Sequence, residues 1–264
     1  MIPAARIQAA IEILNELRAT DAAADNYLRA WARDHRYAGS KDRAAIAERV
    51  YDVLRRRNEC ADAMGGRDDA RDLVLGSLAL ETDRDVAAIE ALFNGVGHGP
   101  QPLSDDERAI LSAPHKLSTA LHVAANVPEW IVPHVTRLFG DATRDELMAL
   151  QGRAPLDLRV NTLRGNRADA IAALAADSIE AAPFGQLPHT LRVVSGARID
   201  NARAVEDGLV EIQDAASQIA SSLVDAQPGM TVIDLCAGAG GKTLAMAAAM
   251  NGTGRLIACD VDHR

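Results

Sequence analysis

Apolar residues recur at three- and four-residue spacing through the first part of the chain. Ile7, Ile11, Leu14 and Leu17 fall on one face of a helix, and Pro3 suits its first turn. Thr20 or Asp21 can cap a second helix that carries Leu28 and Trp31, and Ser40 can cap a third with Ile46, Val50, Val53 and Leu54 on one side. Gly65-Gly66 interrupts the pattern. Two more helices are predicted over 69–80 and 84–93, the second ended by Asn94-Gly95. Ser104-Asp105-Asp106-Glu107 reads as a capping box ahead of Ile110 and Leu111. No strand-like alternation occurs here, so 1–112 is expected to be an all-α domain. Residues 113–152 continue as a helical connector punctuated by Pro128 and Pro133, with a second capping box at Thr143-Arg144-Asp145-Glu146.

The period changes near Pro155. Leu156, Leu158 and Val160 alternate with Asp157 and Arg159, the pattern of a half-buried strand. Asn166 can cap a helix through Leu174, and Thr190–Val194 and Leu209–Ile212 read as further strands. These elements predict a small α/β subdomain over 153–205, followed by a last segment, 206–264. In that segment Asp214 can cap a helix carrying Ile219 and Leu223, and Pro228-Gly229 marks a turn. Thr231–Leu235 is a short apolar strand. The loop Cys236-Ala237-Gly238-Ala239-Gly240-Gly241 leads into a helix over Lys242–Met250, and Arg255–Cys259 is a second strand with Asp260 at its carboxyl end.

Composition narrows the class. The chain of 264 residues is 48% hydrophobic and 25% charged, which is ordinary for a globular protein, and long enough for about two domains. Aromatic residues make up only 3%, so aliphatic side chains must build the cores. No apolar run is long enough to span a membrane, and the amphipathic first helix does not read as a signal peptide. Cys60, Cys236 and Cys259 form no disulfide framework, which fits a reducing cytoplasm. The seven histidines are scattered, without spacing suited to a metal. A monomer is expected.

Net charge is −9, which argues against a general nucleic-acid coat. Residues 29–57 nonetheless hold nine Lys/Arg against four Asp/Glu. Such a cluster attracts RNA phosphates, and it is also what a solvated, locally ion-paired helix face looks like.

The order strand, glycine loop, helix, strand, acid carries the most chemical information. A parallel βαβ unit binds ligands beyond the carboxyl ends of its strands. Glycines let a ligand approach the backbone, and the helix starting near Lys242 turns free N–H groups and a partial positive charge toward that space. Asp260 follows Gly238 by 22 positions, near the spacing of a ribose-binding acid. Three ligands compete for such a site. A P-loop for a nucleoside triphosphate would need glycine at Cys236, and a dinucleotide fingerprint would need glycine at Thr243. S-adenosyl-L-methionine offers a ribose for Asp260 and a carboxylate for the helix start. The plain alternatives are that Lys242 is merely solvated, that Asp260 only caps its strand, and that the glycines only make turns. Cys259 is expected to pack in a buried strand.

Asp234-Leu235-Cys236-Ala237-Gly238-Ala239-Gly240-Gly241-Lys242-Thr243 resembles motif I, D-x-C-A-A-P-G-G-K-T, of the RNA (cytosine-5) methyltransferases of the RsmB, RsmF and NSUN group. Gly238-Ala239 stands in place of Ala-Pro. Glu211–Gln218 is similar to the segment that precedes motif I, and Leu158-Arg159-Val160-Asn161-Thr162 to the "RVN" strand of the small subdomain. Arg36–Arg43 resembles part of the NusB-like helical domain that marks the RsmB branch. The resemblance implies a multidomain protein. An all-α NusB-like RNA-binding domain comes first, then a small α/β subdomain, then the start of a Rossmann-like methyltransferase fold.

It further implies S-adenosyl-L-methionine held by Cys236, Ala237, Gly238, Ala239, Gly240, Gly241, Lys242 and Asp260. RNA, cytosine-containing small-subunit ribosomal RNA, would contact Arg36, Lys41, Arg43, Arg55, Arg56 and Arg57. In this family a thiolate adds to carbon 6 of cytosine so that carbon 5 can attack the methyl group. The cysteines that do so lie in later motifs, so the nucleophile is expected beyond Arg264 and this chain is expected to be inactive by itself. A non-catalytic NusB-like RNA-binding module is the alternative reading.

Overall fold

The computed structural model describes residues 1–20, 22–152, 154–185, 187–195, 199 and 202–261. Asp21, one of the two expected caps, and Arg264 lie outside the described residues. The chain divides into two compact units, 1–152 and 153–264.

The first unit is helical, as the three- and four-residue spacing requires. Its helices are α1 (Pro3–Ala19), α2 (Ala24–Asp34), α3 (Ser40–Arg55), α4 (Arg57–Ala63), α5 (Ala70–Glu81), α6 (Val86–Leu92) and α7 (Asp105–Ser112). Shorter ones follow: α8 (Leu121–Ala124), α9 (Val132–Phe139) and α10 (Thr143–Ala149). Ile7, Ile11 and Leu14 of α1 meet Ile46, Val50 and Val53 of α3 and Leu73, Val74 and Leu78 of α5 in one core.

The predicted box at Ser104 forms: its hydroxyl accepts from Glu107 N–H while the Glu107 carboxylate accepts from Ser104 N–H. Asp69 and Asp85 cap α5 and α6. Two other expectations are corrected. Thr143 opens α10 without capping it, because its hydroxyl donates to the Gly140 carbonyl at 2.6 Å. Ser40 is the first helical residue of α3, and Gly39 stands in the cap position with its N–H donated to Asp42.

Gly76 sets the approach of α4 to α5. A Cβ at this position would lie 2.1 Å from the Cys60 carbonyl oxygen, so the two backbones touch where no side chain fits.

In the second unit, strands β1 (Asp157–Val160), β2 (Ala181–Pro183), β3 (Thr190–Val193) and β4 (Val210–Ile212) form an antiparallel sheet in the order β2-β3-β1-β4. Helices α11 (Arg167–Ala176) and α12 (Arg203–Glu206) fall between β1 and β2 and between β3 and β4, giving a βαββαβ order. The small sheet therefore reaches past residue 205 to take in β4. Asn166 caps α11 as expected, sharing a capping box with Asp169.

β1 departs from half-buried alternation: all four of its residues are buried. As a central strand it can keep Asp157 and Arg159 inside only by pairing them. Arg192 grips both oxygens of Asp157, at 2.7 and 2.9 Å, and Arg159 pairs with Glu211.

Beyond it, α13 (Ala215–Ser222) is capped by Asp214, as predicted. A parallel pair, β5 (Thr231–Asp234) and β6 (Arg255–Ala258), is joined through α14 (Gly241–Ala249). Here the core is small: Ala226, Met246 and Met250 with Val232 and Leu256. Ile233 and Leu235 are exposed. Among the described residues no helix is long and apolar enough to cross a membrane.

Gly76→Ala gains roughly 1 kcal/mol of helix propensity, but overpacking against a backbone oxygen costs about 1–3 kcal/mol or more. Net destabilisation is expected, measured as an earlier urea midpoint for the helical transition.

The Arg192 guanidinium holds the Asp157 carboxyl below its ordinary range. A lowered folded-state pKa adds stability above the unfolded value, near 4, which is lost as pH falls through the folded value. Asp157→Asn is expected to lower stability at neutral pH and to flatten that acid limb in urea titrations run at successive pH values.

Candidate functional site

β5 and β6 run parallel in register, Asp234 beside Ala258, so the segments leaving their carboxyl ends lie side by side. Cys259 N–H donates to the Asp234 carbonyl at 2.8 Å, and Ala237 N–H to the Cys259 carbonyl at 2.9 Å. The chain then turns through Gly238 (φ +53°) and Gly240 (φ +87°), both left-handed. An L-residue costs about 1–2 kcal/mol in that conformation. A Cβ at either glycine would meet nothing within 4 Å, so the outer side of this bend is open. Backbone conformation, rather than crowding, is what demands glycine at both.

The bend delivers the chain to the start of α14. The N–H groups of Gly241, Lys242 and Thr243 have no acceptor among the described residues, as at any uncapped helix start. Lys242 is exposed and has no ion-pair partner among them. Asp260, 22 positions after Gly238, accepts the Gly238 N–H on Oδ2 at 2.7 Å. The acid singled out by spacing therefore already grips the loop. Thr243 Oγ1 donates to Asp234 Oδ2 at 2.6 Å, tying the helix to β5.

Sequence reasoning missed one residue here. Gln213 is only 7% exposed, and neither its amide nitrogen nor its amide oxygen has a partner among the described residues. Its backbone is pinned: its N–H donates to the Asp157 carbonyl at 3.1 Å, and its carbonyl accepts from Gln218 Nε2 at 2.8 Å. A Cβ on Gly241 would sit 3.6 Å from Gln213 Nε2, so the carboxamide lies beside the first residue of α14. A buried amide without partners costs about 1–3 kcal/mol, so this group offers a donor and an acceptor to a polar ligand. Its only sequence signal was its place in the segment before the glycine loop.

The cysteines separate clearly. Cys60 is fully buried, and burial pushes its thiol up to about 12. It is protonated and unreactive at neutral pH. Cys236 is exposed in the loop. Cys259, expected in a buried strand, is also exposed. It follows the end of β6 in a two-stranded sheet that few side chains cover. Among the described residues no group of His, Cys, Asp or Glu is gathered as a metal site.

The basic segment divides into two groups. Arg36, Lys41 and Arg43 surround the start of α3, and Arg55, Arg56 and Arg57 its end. From Lys41 to Arg55 the helix rises about 21 Å. Arg36, Lys41 and Arg55 are exposed and pair with no carboxylate among the described residues, and Arg43 donates only to the Ala32 carbonyl, at 3.4 Å. Arg56 pairs with Glu59 at 3.0 Å and Arg57 with Asp68 at 2.8 Å.

Residues 127–200 match the model of the methyltransferase RsmF/B-like, ferredoxin-like domain. The βαββαβ order of β1 to β4 is the topology that name describes. The chain is 31% identical over 137 residues to ribosomal RNA small subunit methyltransferase B of Yersinia enterocolitica, covering 52% of this chain and 32% of the relative. It is 30% identical over 198 residues to the probable ribosomal RNA small subunit methyltransferase B of a Synechocystis species, covering 72% and 44%. The chain thus spans less than half the length of these curated relatives. The crystal structure of PH0851 shares the fold, with a TM-score of 0.68 at 23% identity, over 100% of this chain and 65% of that one.

The exposure pattern predicts two fast thiols and one slow one. With an aromatic disulfide reagent, native protein is expected to release about two equivalents of chromophore promptly and the third only on unfolding. Prompt reaction of Cys60 would contradict its burial.

Proposed function

We propose, taking its relatives among the ribosomal RNA small subunit methyltransferases B as the premise, that this chain holds the RNA-binding and cofactor-binding parts of an RNA (cytosine-5) methyltransferase. It would act on small-subunit ribosomal RNA in the cytoplasm, as a monomer without a metal. On this reading 1–112 is a NusB-like RNA-binding domain, 113–152 a connector, 153–205 the body of the small α/β subdomain and 206–264 the start of a Rossmann-like methyltransferase domain.

The bend from Gly238 to Gly241, gripped by Asp260, is the observation that carries the reading. The residues fit S-adenosyl-L-methionine. Open space over Gly238 and Gly240 admits a ligand to the main chain. The N–H groups of Gly241, Lys242 and Thr243, at the positive end of α14, suit the cofactor's carboxylate. Gln213 adds a buried donor and acceptor beside them. Asp260, at the end of the adjacent strand, holds Gly238 in place and stands where a ribose would lie. When bound, the cofactor supplies the methyl group.

The competing ligands fit less well. A P-loop leaves its Ser/Thr hydroxyl for magnesium, whereas the Thr243 hydroxyl is committed to Asp234. A dinucleotide fingerprint uses its third glycine for close helix–strand packing, and Thr243 occupies that position. A pure RNA-binding module needs neither the left-handed glycines nor Asp260.

This chain's own residues bind and orient; they do not supply the nucleophile. Cys60 is buried and protonated, Cys236 belongs to the cofactor loop, and Cys259, though exposed, lies at the end of the adjacent strand, where its backbone bonds to Asp234 and Ala237. We place the attacking thiolate outside residues 1–264, which the relatives' greater length allows.

S-adenosyl-L-methionine is expected to raise the melting temperature of the full chain, with about 2.7 kcal/mol of stabilisation at a hundredfold excess over Kd. Asp260→Ala should lose that shift. A shift with NAD or magnesium-ATP, and none with S-adenosyl-L-methionine, would overturn the reading.

A further inference from the structure

Three aromatic rings run from the core of the helical unit to its surface. Trp31 is buried in α2, and His35 stacks on it with ring centroids 4.3 Å apart and planes 10° from parallel. Tyr37 meets His35 edge-on, at 5.7 Å and 71°, and is itself 71% exposed. The loop that carries it is fixed on both sides. His35 Nδ1 lies 2.9 Å from the Trp31 carbonyl oxygen, and the buried Ala38 donates its N–H to the His35 carbonyl at 3.0 Å. Gly39 N–H donates at 3.2 Å to Asp42, which Arg6 holds at 2.7 Å. A rigid aromatic face turned to solvent adds little to the core, but it binds at small cost in ordering.

Its surroundings select the ligand. Tyr37 forms one wall of a groove of about 690 Å³, whose other polar walls are Gln8, Glu12, His98 and Gln101. That volume is in the range of small-molecule sites. No lysine or arginine side chain lines the groove; the N-terminal ammonium of Met1, which does, is paired with Asp42 at 3.0 Å, and Glu12 adds a carboxylate, so the walls favour a neutral, flat, hydrogen-bonding group over a phosphate. Unpaired positive charge lies close to Tyr37 along the chain, on Arg36, Lys41 and Arg43, none of which pairs with a carboxylate among the described residues. Unpaired cations near a bare ring are how single-stranded nucleic acid is held: phosphates on the cations, a base on the aromatic face.

We propose that Tyr37 stacks on an unpaired base of single-stranded RNA, the base entering the groove while its flanking phosphates cross Arg36, Lys41 and Arg43. This rests on the reading of the helical unit as RNA-binding, and it adds which residue takes a base and at which end of α3.

The test is fluorescence anisotropy of a labelled, mixed-sequence single-stranded oligoribonucleotide, titrated with the full chain over a range of salt concentrations. Tyr37→Ala is expected to weaken binding roughly tenfold, from the size of base–aromatic stacking, and to leave the slope of log K against log salt unchanged. Tyr37→Phe and Tyr37→Trp keep the ring and should keep the affinity. Removing so exposed a side chain should not move the melting temperature. The triple reversal Arg36→Glu, Lys41→Glu, Arg43→Glu should weaken binding and flatten the slope. Should the reversal weaken binding while Tyr37→Ala binds like the unaltered chain, the stacking is wrong and the RNA reading stands. Should the unaltered chain fail to bind, or neither change matter, both fall.

Discussion

Asp157 is a carboxylate in the middle of a sheet, with no part of its side chain exposed. A charge so placed must be matched on the spot or the strand cannot stay there. Both arms of Arg192 reach it from β3, the N–H of Ala215 reaches it at 3.2 Å from the start of α13, and its carbonyl accepts from Gln213. One residue thereby joins two strands to the helix that leads toward the glycine bend. Gln213 passes the constraint on, because its pinned backbone sets a buried carboxamide against Gly241. The geometry beside α14 is therefore inherited in part from an ion pair in the neighbouring sheet.

At the bend itself the work divides between backbone and side chain. Gly238 and Gly240 supply a path that other residues resist, and Asp260 keeps that path from opening by holding the Gly238 amide. Asp234 does the same for the helix through Thr243. Two carboxylates at the ends of adjacent strands thus frame the loop. This fits a site that presents main-chain N–H groups in a fixed array.

How much of this was legible in the sequence depends on the range of the interaction. Caps at Ser104, Asn166 and Asp214 could be read because donor and acceptor lie within three residues. Thr143 misled, since its hydroxyl had an equally near carbonyl at Gly140. β2 was invisible: Ala181-Ala182-Pro183 carries no pattern of its own and exists through pairing with β3. The burial of Arg159 and the exposure of Cys259 both depend on how many strands flank a position, which periodicity does not record. The acid 22 residues after Gly238 was readable because a βαβ unit has a nearly fixed length. Gln213 and the Trp31–His35–Tyr37 series required coordinates, for their meaning lies in what they touch.

Pro183 closes β2 at the outer edge of the four-stranded sheet, opposite Leu191. Having no N–H, it cannot donate to a further strand, and its ring crowds any chain that tries to align there. The sheet is thus stopped on this side by chemistry rather than by cover. A neighbouring molecule that met this edge during synthesis or at high concentration would find the ladder broken, which protects the subdomain from fibre-like growth.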